Sequence, residues 1–215
     1  MAWISLKTQN LPTLALVIIA QVSIAYALSN PDFDWSSIEV FSPDTVVVSL
    51  IVLVAALFSS LLPVSVKHQL VFLRRKNALP GHRFLQLAEH DQRIDLLRLK
   101  QQILPLVQLN VTEEQQNRVW YQNIYHPHQN APLVKSAHKA FLQWRDSMVV
   151  SMFIALLLAV GVQTVPVVAV AFSPFSFLVS LFFVLATGCA AHHNGKRMVT
   201  NAVVLWLLKP SACQQ

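Results

Sequence analysis

The sequence predicts an all-α integral membrane protein with four transmembrane helices, two on each side of a small helical cytoplasmic module. Of the 215 residues, 54% are hydrophobic and only 12% are charged, whereas soluble domains are about one quarter charged. Three uncharged runs of 18, 22 and 45 residues lie at positions 11–28, 45–66 and 147–191. Because about 20 helical residues cross a bilayer core of about 30 Å, these runs predict one, one and two crossings.

The distribution of charge predicts the orientation. Segment 67–146 carries twelve of the 16 Lys and Arg residues, while loop 29–44 has four acidic residues and neither Lys nor Arg. Basic residues mark the cytoplasmic side, so both termini are expected in the cytoplasm. The predicted organisation is an N-terminal hairpin at 1–66, a basic cytoplasmic module at 67–146, a C-terminal hairpin at 147–193 and an interfacial helix with a tail at 194–215.

The first apolar run has two interpretations. Ala25-Tyr26-Ala27 resembles a signal-peptidase site, which indicates a cleaved signal peptide. The segment ahead of the run is weakly basic, with Lys7 as its single basic residue, and this favours a retained transmembrane helix at about 11–28. Either way, the topology after Thr45 is the same.

The second helix is predicted to begin with Ser42 as its N-cap and Pro43 at the first helical position. It is expected to cross the membrane over residues 45–66 and to continue to Lys76 in the cytoplasm. A Pro-Gly turn at Pro80 ends it, because this dipeptide breaks helices.

Short helices are predicted to fill the cytoplasmic module. They cover residues 83–90, residues 92–103 with Asp91 as cap, and residues 113–125 with a capping box of Thr112 and Gln115, followed by a loop at 126–131 and an amphipathic helix from Pro132 into the third span. Ile94 and Leu97 are expected to face inward. The aromatic core of the module is predicted from Trp120, Tyr121, Phe141 and Trp144.

The C-terminal hairpin is expected to turn within residues 163–174, with the fourth helix beginning near Ser173. Residues 198–208 form the last apolar segment, and eleven residues are too few to cross a membrane. A separate interfacial helix anchored by Trp206 is therefore predicted there.

The third helix carries a stripe at four-residue spacing: Ser151, Ala155, Ala159 and Gln163. Small residues at this spacing let membrane helices approach closely. Two interpretations follow, packing among the helices of one subunit or an interface between subunits of a homo-oligomer. The sequence leaves both open.

The sequence shows no catalytic pattern, and we expect neither an enzyme nor a bound cofactor. The predicted spans contain no Asp, Glu, Lys, Arg or His, which disfavours ion-coupled transport. His126, His128 and His138 invite a metal site, but no acidic or cysteine ligand accompanies them at a recognised spacing. We therefore predict surface histidines and no metal.

The Pro-Gly turn and its surroundings are the candidate contact for a regulator or partner. His82 and Arg83 beside Gly81, together with Arg93 and Asp95, suggest a small anion or nucleotide pocket; a structural Arg93–Asp95 ion pair is the favoured alternative. The complete set of predicted regulatory or partner residues is Pro80, Gly81, His82, Arg83, Arg93, Asp95, Trp120 and Tyr121.

Four phrases within the module carry a family resemblance. They are Lys76-Asn77-Ala78-Leu79-Pro80-Gly81-His82-Arg83-Phe84, Asp91-Gln92-Arg93-Ile94-Asp95, Glu114-Gln115-Gln116-Asn117-Arg118-Val119-Trp120-Tyr121 and His138-Lys139-Ala140-Phe141-Leu142-Gln143-Trp144-Arg145-Asp146. Together they resemble small bacterial inner-membrane proteins of phage-defence loci, in particular the transmembrane effectors encoded beside retron reverse transcriptases. The resemblance covers mainly residues 67–146. Ala78, where proline is commoner, is a minor departure.

The resemblance implies a toxin-like effector of the bacterial inner membrane. It implies that a reverse transcriptase with its RNA–DNA hybrid holds the effector silent, and that the effector permeabilises the membrane when infection is sensed. The expected partners are thus the lipid bilayer, further copies of the chain and that regulator. No catalytic residue carries over.

Two other function classes fit the residues. One is an accessory or scaffold subunit of an inner-membrane transport or secretion complex, and the other is a membrane enzyme that uses His126 and His128. Growth on induction separates an effector from a scaffold, because only an effector is expected to arrest cells.

Overall fold

The computed structural model describes residues 9–32, 43–104 and 112–208, and every regular element within them is helical. The predicted all-helical class is confirmed. The longer helices are α1 (Leu11–Ser29), α2 (Pro43–Leu61), α3 (Val64–Phe72), α4 (Phe84–Glu89), α5 (Leu96–Ile103), α6 (Glu113–Val119), α7 (Pro132–Thr164), α8 (Pro166–Ala171) and α9 (Ser176–Leu208). A 3-10 turn, Pro80–Arg83, precedes α4, and a π-helix, Trp120–Tyr125, follows α6 and leads into a short turn, His126–His128.

Three or four of these helices are long and apolar enough to span a membrane. In the described residues α1, α7 and α9 qualify alone, and α2 with α3 qualifies as one bent pair. Large apolar side chains remain exposed along them, as in Leu16, Leu57 and Phe182. Such a surface suits a lipid environment, so the chain is a membrane protein.

The prediction that the second helix runs straight to Lys76 is wrong. The chain bends by 101° between α2 and α3. Pro63 stands at the break, where its ring and missing N–H oppose helix continuation. Helix α3 then ends at Phe72, and Leu73 adopts a left-handed backbone with φ of 51°. The Arg74 N–H donates to the Gln69 carbonyl at 3.2 Å, as at a helix C-terminus with a left-handed cap.

The chain divides into two compact units, and unit 1 comprises Met1–Lys67 and Leu142–Ala190. Its core comes from α1, α2, α7, α8 and the residue after α8: Ile18, Val22, Ala25, Ile51, Ala55, Val150, Ile154, Leu158, Val168, Ala171 and Phe172. A Cβ on Gly161 would lie 3.1 Å from Val168, so this glycine lets α7 and α8 pack closely. The N-terminal start of α2 at Pro43 is as predicted, while its Ser42 cap lies outside the described residues.

A cluster of hydroxyl and amide groups ties the end of α1 to the segment between α8 and α9. The Oγ atoms of Ser29 and Ser176 lie 2.8 Å apart, and the Ser173 N–H donates to Ser29 Oγ at 2.9 Å. Asn30 Nδ2 donates to the Ala171 carbonyl at 3.0 Å. In an apolar environment such bonds supply partners for backbone groups that water does not reach.

Unit 2 comprises His68–Phe141 and Ala191–Gln215. Its core draws on α4, α5, the π-helix and the parts of α7 and α9 that lie in this unit: Phe84, Ala88, Ile94, Leu99, Ile103, Trp120, Ile124, Tyr125, Val134, Ala137, Met198, Val199, Ala202, Val203 and Leu207. Outside this core, the ring centroids of Phe72 and Phe141 lie 5.8 Å apart.

Several local predictions for unit 2 are corrected. Helix α5 begins at Leu96 with Asp95 as its cap, which accepts from the N–H groups of Leu97 and Arg98; Asp91 does not cap it. Leu97 is 76% exposed, whereas Leu99 is buried. The later start shifts the inward face by two positions. The capping box of Thr112 and Gln115 on α6 is confirmed.

The predicted loop at 126–131 is helical over its first half, because the π-helix leads directly into His126–His128. Helix α7 begins at Pro132 and runs unbroken to Thr164, as predicted. Helix α9 is likewise continuous from Ser176 to Leu208. The prediction of a separate helix at 198–208 is therefore wrong, and Trp206 packs partly buried against the unit 2 core.

Candidate functional site

Unit 2 contains a cleft of about 730 Å³ that we name the basic cleft. The residues lining it are Arg83, Gln86, Leu87, His90, Asp91, Gln92, Arg93, His193, Lys196, Arg197 and Thr200. Arg83 closes the 3-10 turn, Arg93 lies between α4 and α5, and Lys196 and Arg197 follow one another on α9. Three separate chain segments thus bring four cationic side chains to one cleft.

Arg93 and Asp91 form an ion pair within this cleft. Arg93 Nη2 donates to Asp91 Oδ2 at 2.7 Å, and its Nε donates to Oδ1 at 2.9 Å. Such bidentate pairing is the strong geometry for Arg and carboxylate. The hydrogen bond from Arg93 is the main reason that the pKa of Asp91 falls from 3.8 to about 2.

Arg93 also reaches α9. Its Nη1 donates to Asn201 Oδ1 at 3.1 Å and its Nη2 to Thr200 Oγ1 at 3.3 Å. Asn201 in turn donates to the Leu133 carbonyl at 3.2 Å. The predicted Arg93–Asp95 ion pair is therefore wrong: Arg93 is held by Asp91 and α9, and Asp95 caps α5.

Arg83 lies in a more positive setting. Burial and the nearby charge of Arg74 lower its pKa, and Glu113 opposes them. Arg74 is itself paired with Glu113, Nη2 to Oε1, at 3.0 Å. Among the described residues, the buried Nε of Arg83 has no hydrogen-bond acceptor.

Acid is expected to weaken the fold of unit 2 as the pH falls from 3.8 to about 2. Asp91 has its pKa lowered in the folded chain, so it stabilises the fold above its unfolded pKa, and that contribution is lost as the pH falls through the folded pKa. Asp91→Asn does not titrate, so its unfolding temperature should fall less than the parent's over this interval. Thermal unfolding in mild detergent across a pH series measures the unfolding temperatures of the parent and of Asp91→Asn. An equal fall in the two temperatures would contradict a stabilising ion pair.

The other predicted partner residues lie elsewhere. Pro80, Gly81 and Trp120 are buried, and a Cβ on Gly81 would come within 2.6 Å of the Trp120 ring and 2.5 Å of Asn117 Oδ1. These three residues therefore build the interior of unit 2. His82 Nδ1 donates to the Leu79 carbonyl at 3.1 Å.

Tyr121 is 50% exposed, so its prediction as a core residue is wrong. Of the eight predicted regulatory or partner residues, Arg83 and Arg93 line the basic cleft. Sequence reasoning missed Lys196, Arg197 and Thr200. Their signal was the polar segment His192 to Arg197 between two apolar stretches, where the sequence predicts the end of the C-terminal hairpin.

The histidines of the module make separate contacts. His128 Nδ1 donates to the Ile124 carbonyl at 2.8 Å, while His138 Nδ1 lies 2.8 Å from the Tyr125 hydroxyl. Burial raises the pKa of Tyr125. Within the described residues, no three His, Cys, Asp or Glu side chains are grouped so that they could hold a metal ion.

The stripe on α7 divides between the inside and the outside of unit 1. Ser151 and Ala155 are buried, and Ser151 Oγ donates to Gln21 Oε1 of α1 at 2.6 Å. Ala159 is half-buried and Gln163 is exposed. The first two residues thus pack within the subunit, and the far end of the stripe faces outward.

A buried ionic cluster in unit 1 was not predicted. Lys67, Arg145 and Asp146 are all buried. Asp146 Oδ1 lies 3.6 Å from Lys67 Nζ and accepts from Arg145 Nη2 at 2.9 Å. In the predicted organisation Lys67 begins the basic cytoplasmic module, and Arg145 and Asp146 end it. Buried charges are kept only with partners, and here Asp146 is the partner of both Lys67 and Arg145.

No protein-family model, curated protein or solved structure matches this chain. The resemblance to phage-defence effectors therefore rests on the four sequence phrases alone.

Proposed function

We propose that this chain is a non-catalytic membrane effector of a bacterial anti-phage, abortive-infection system. In this proposal unit 2 is the cytoplasmic module that receives the trigger, and the apolar helices permeabilise the inner membrane in response. A homo-oligomer forms the active state, and a reverse transcriptase with its RNA–DNA hybrid holds the resting state.

The observation that carries the proposal is the continuity of α7 and α9. Each is an unbroken helix of 33 residues that includes an apolar stretch long enough to span a membrane. Each also supplies buried residues to the unit 2 core, such as Val134 and Ala137 from α7 and Val199 and Val203 from α9. A change in the packing of that core therefore acts directly on two helices with apolar spans.

The topology of this proposal places both termini and unit 2 in the cytoplasm. In a background without the native cysteines, Ser36→Cys should label from outside intact spheroplasts with a membrane-impermeant thiol reagent. Asn130→Cys, at an exposed position of unit 2, should label only after the membrane is opened, because the basic module stays inside. Labelling of Asn130→Cys in intact spheroplasts would contradict this orientation.

Induced expression of the chain tests the effector function. Without its regulator, an effector should arrest growth and admit a membrane-impermeant dye. Abundance in the membrane fraction is the control, measured for the parent and for a variant that leaves the fold unchanged, Arg118→Gln on the exposed face of α6. Normal growth without dye entry, at equal abundance and also in the presence of infecting phage, would remove the effector proposal and leave an accessory subunit.

A further inference from the structure

We propose that the basic cleft of unit 2 binds a phosphate-bearing anion. The ligand chemistry is a pair of linked phosphates or a phosphate ester, supplied by a soluble compound or by a phospholipid headgroup. This inference concerns binding alone and does not rest on the effector proposal.

The cleft has a net positive charge. Its lining includes four Lys or Arg side chains and, among the described residues, a single carboxylate, Asp91. Arg93 already occupies both oxygens of that carboxylate. The cleft therefore keeps an excess of positive charge on Arg83, Lys196 and Arg197. Like charges gathered in one concave surface repel each other, and such a surface attracts anions.

The hydrogen-bond donors carry the second step. Arg83 has a buried Nε without an acceptor in the described structure, and a buried donor left unsatisfied is costly. The guanidinium of Arg197 and the ammonium of Lys196 add donors from α9. Phosphate oxygens accept from several such donors together, and the planar guanidinium fork matches phosphate geometry.

The volume and lining of the cleft indicate which class of ligand it can bind. A cleft of about 730 Å³ falls in the range of about 300–1,000 Å³ that small-molecule sites occupy. Leu87 is the one aliphatic residue in its described lining, and the other side chains end in charged or polar groups that can hydrogen-bond a polar ligand. The cleft has room for more than one phosphate group, which favours a diphosphate or a phosphate ester over a single inorganic phosphate.

Binding of inorganic pyrophosphate to the full chain in mild detergent tests this inference by calorimetry. We expect saturable binding in the parent and about tenfold weaker binding in Arg83→Gln and in Arg197→Gln, because each change removes charge-assisted hydrogen bonds. Arg118→Gln, an exposed arginine of α6 that does not line the cleft, is the matched control and should bind like the parent.

Arg197 is exposed, so its replacement leaves the core intact, and the unfolding temperature of each variant verifies this. Calorimetry in detergent micelles with and without added cardiolipin provides the lipid arm, because a chain with apolar spans would enter any vesicle. Pyrophosphate binding that cardiolipin does not displace indicates a soluble ligand, and cardiolipin binding lost in Arg197→Gln indicates a headgroup. Absence of both, or equal weakening by Arg118→Gln, overturns the inference. The inference is also overturned if the chain binds a nucleic-acid duplex in place of pyrophosphate, with the same affinity in the parent, Arg83→Gln and Arg197→Gln.

Discussion

Replacing Trp120 with alanine is expected to lower the free energy of unfolding by about 3–5 kcal/mol, the usual cost of removing a buried large aromatic side chain. Trp120 is 5% exposed. Its ring packs on Gly81 and lies 5.1 Å from the ring of Tyr125, nearly parallel to it. Alanine would leave a cavity between the 3-10 turn and the π-helix, so the Pro80–Arg83 turn would lose its support.

The neighbouring tyrosine is the matched control. Tyr121 is 50% exposed, so Tyr121→Ala should change the free energy of unfolding by less than about 1 kcal/mol. Pulse proteolysis of the purified chain in a urea series measures both variants. The packing of unit 2 described above would be contradicted if Trp120→Ala and Tyr121→Ala had similar effects.

The contrast between these two aromatic residues shows what the sequence could predict. An aromatic core near residue 120 followed from composition and from the capping box of Thr112 and Gln115. The π-helix could not be predicted, because no local sequence pattern distinguishes it from an α-helix. With its i to i+5 bonding, the Tyr125 ring stacks on Trp120 at 5.1 Å and also on Tyr121 at 5.6 Å. Of these two neighbours of Tyr125, Trp120 is buried and Tyr121 is half exposed.

The end of each helix depended on competition between local and tertiary effects. Pro63 lies inside an uncharged run, and hydrophobicity alone does not reveal that the chain bends there. Asp91 and Asp95 are both good caps by residue type. The bonds that hold Arg93 to Asp91 and to Asn201 leave Asp95 as the cap of α5.

The basic cleft was predicted in part. Arg83 and Arg93 could be predicted because both lie near the Pro-Gly turn. Lys196, Arg197 and Thr200 are more than one hundred residues further along the chain. They reach the cleft because α9 packs into the unit 2 core. A contact between segments so far apart in the chain cannot be predicted from the spacing of residues in the sequence.

Ala155→Leu is expected to abolish triggered dye entry. Ala155 is 6% exposed, between the buried Ser151 and Leu158 of α7. A leucine in this packed site forces neighbours apart at a cost of about 1–3 kcal/mol. Ala155 lies one helical turn from Ser151, so the change is expected to weaken the bond between Ser151 and Gln21 of α1. Leucine is apolar, so insertion into the membrane should proceed normally. Dye entry and survival are measured at equal abundance in the membrane fraction.

Gln163→Leu separates the two interpretations of the stripe. Gln163 is exposed, so leucine there leaves unit 1 packed as before. If the stripe serves packing within the subunit, Ala155→Leu should lose activity and unfold at a lower temperature, while Gln163→Leu should behave like the parent. If the outward end of α7 joins subunits, Gln163→Leu should change the oligomer seen by chemical cross-linking at an unchanged unfolding temperature. Full dye entry with Ala155→Leu would show that close packing of α7 against α1 is not needed for permeabilisation.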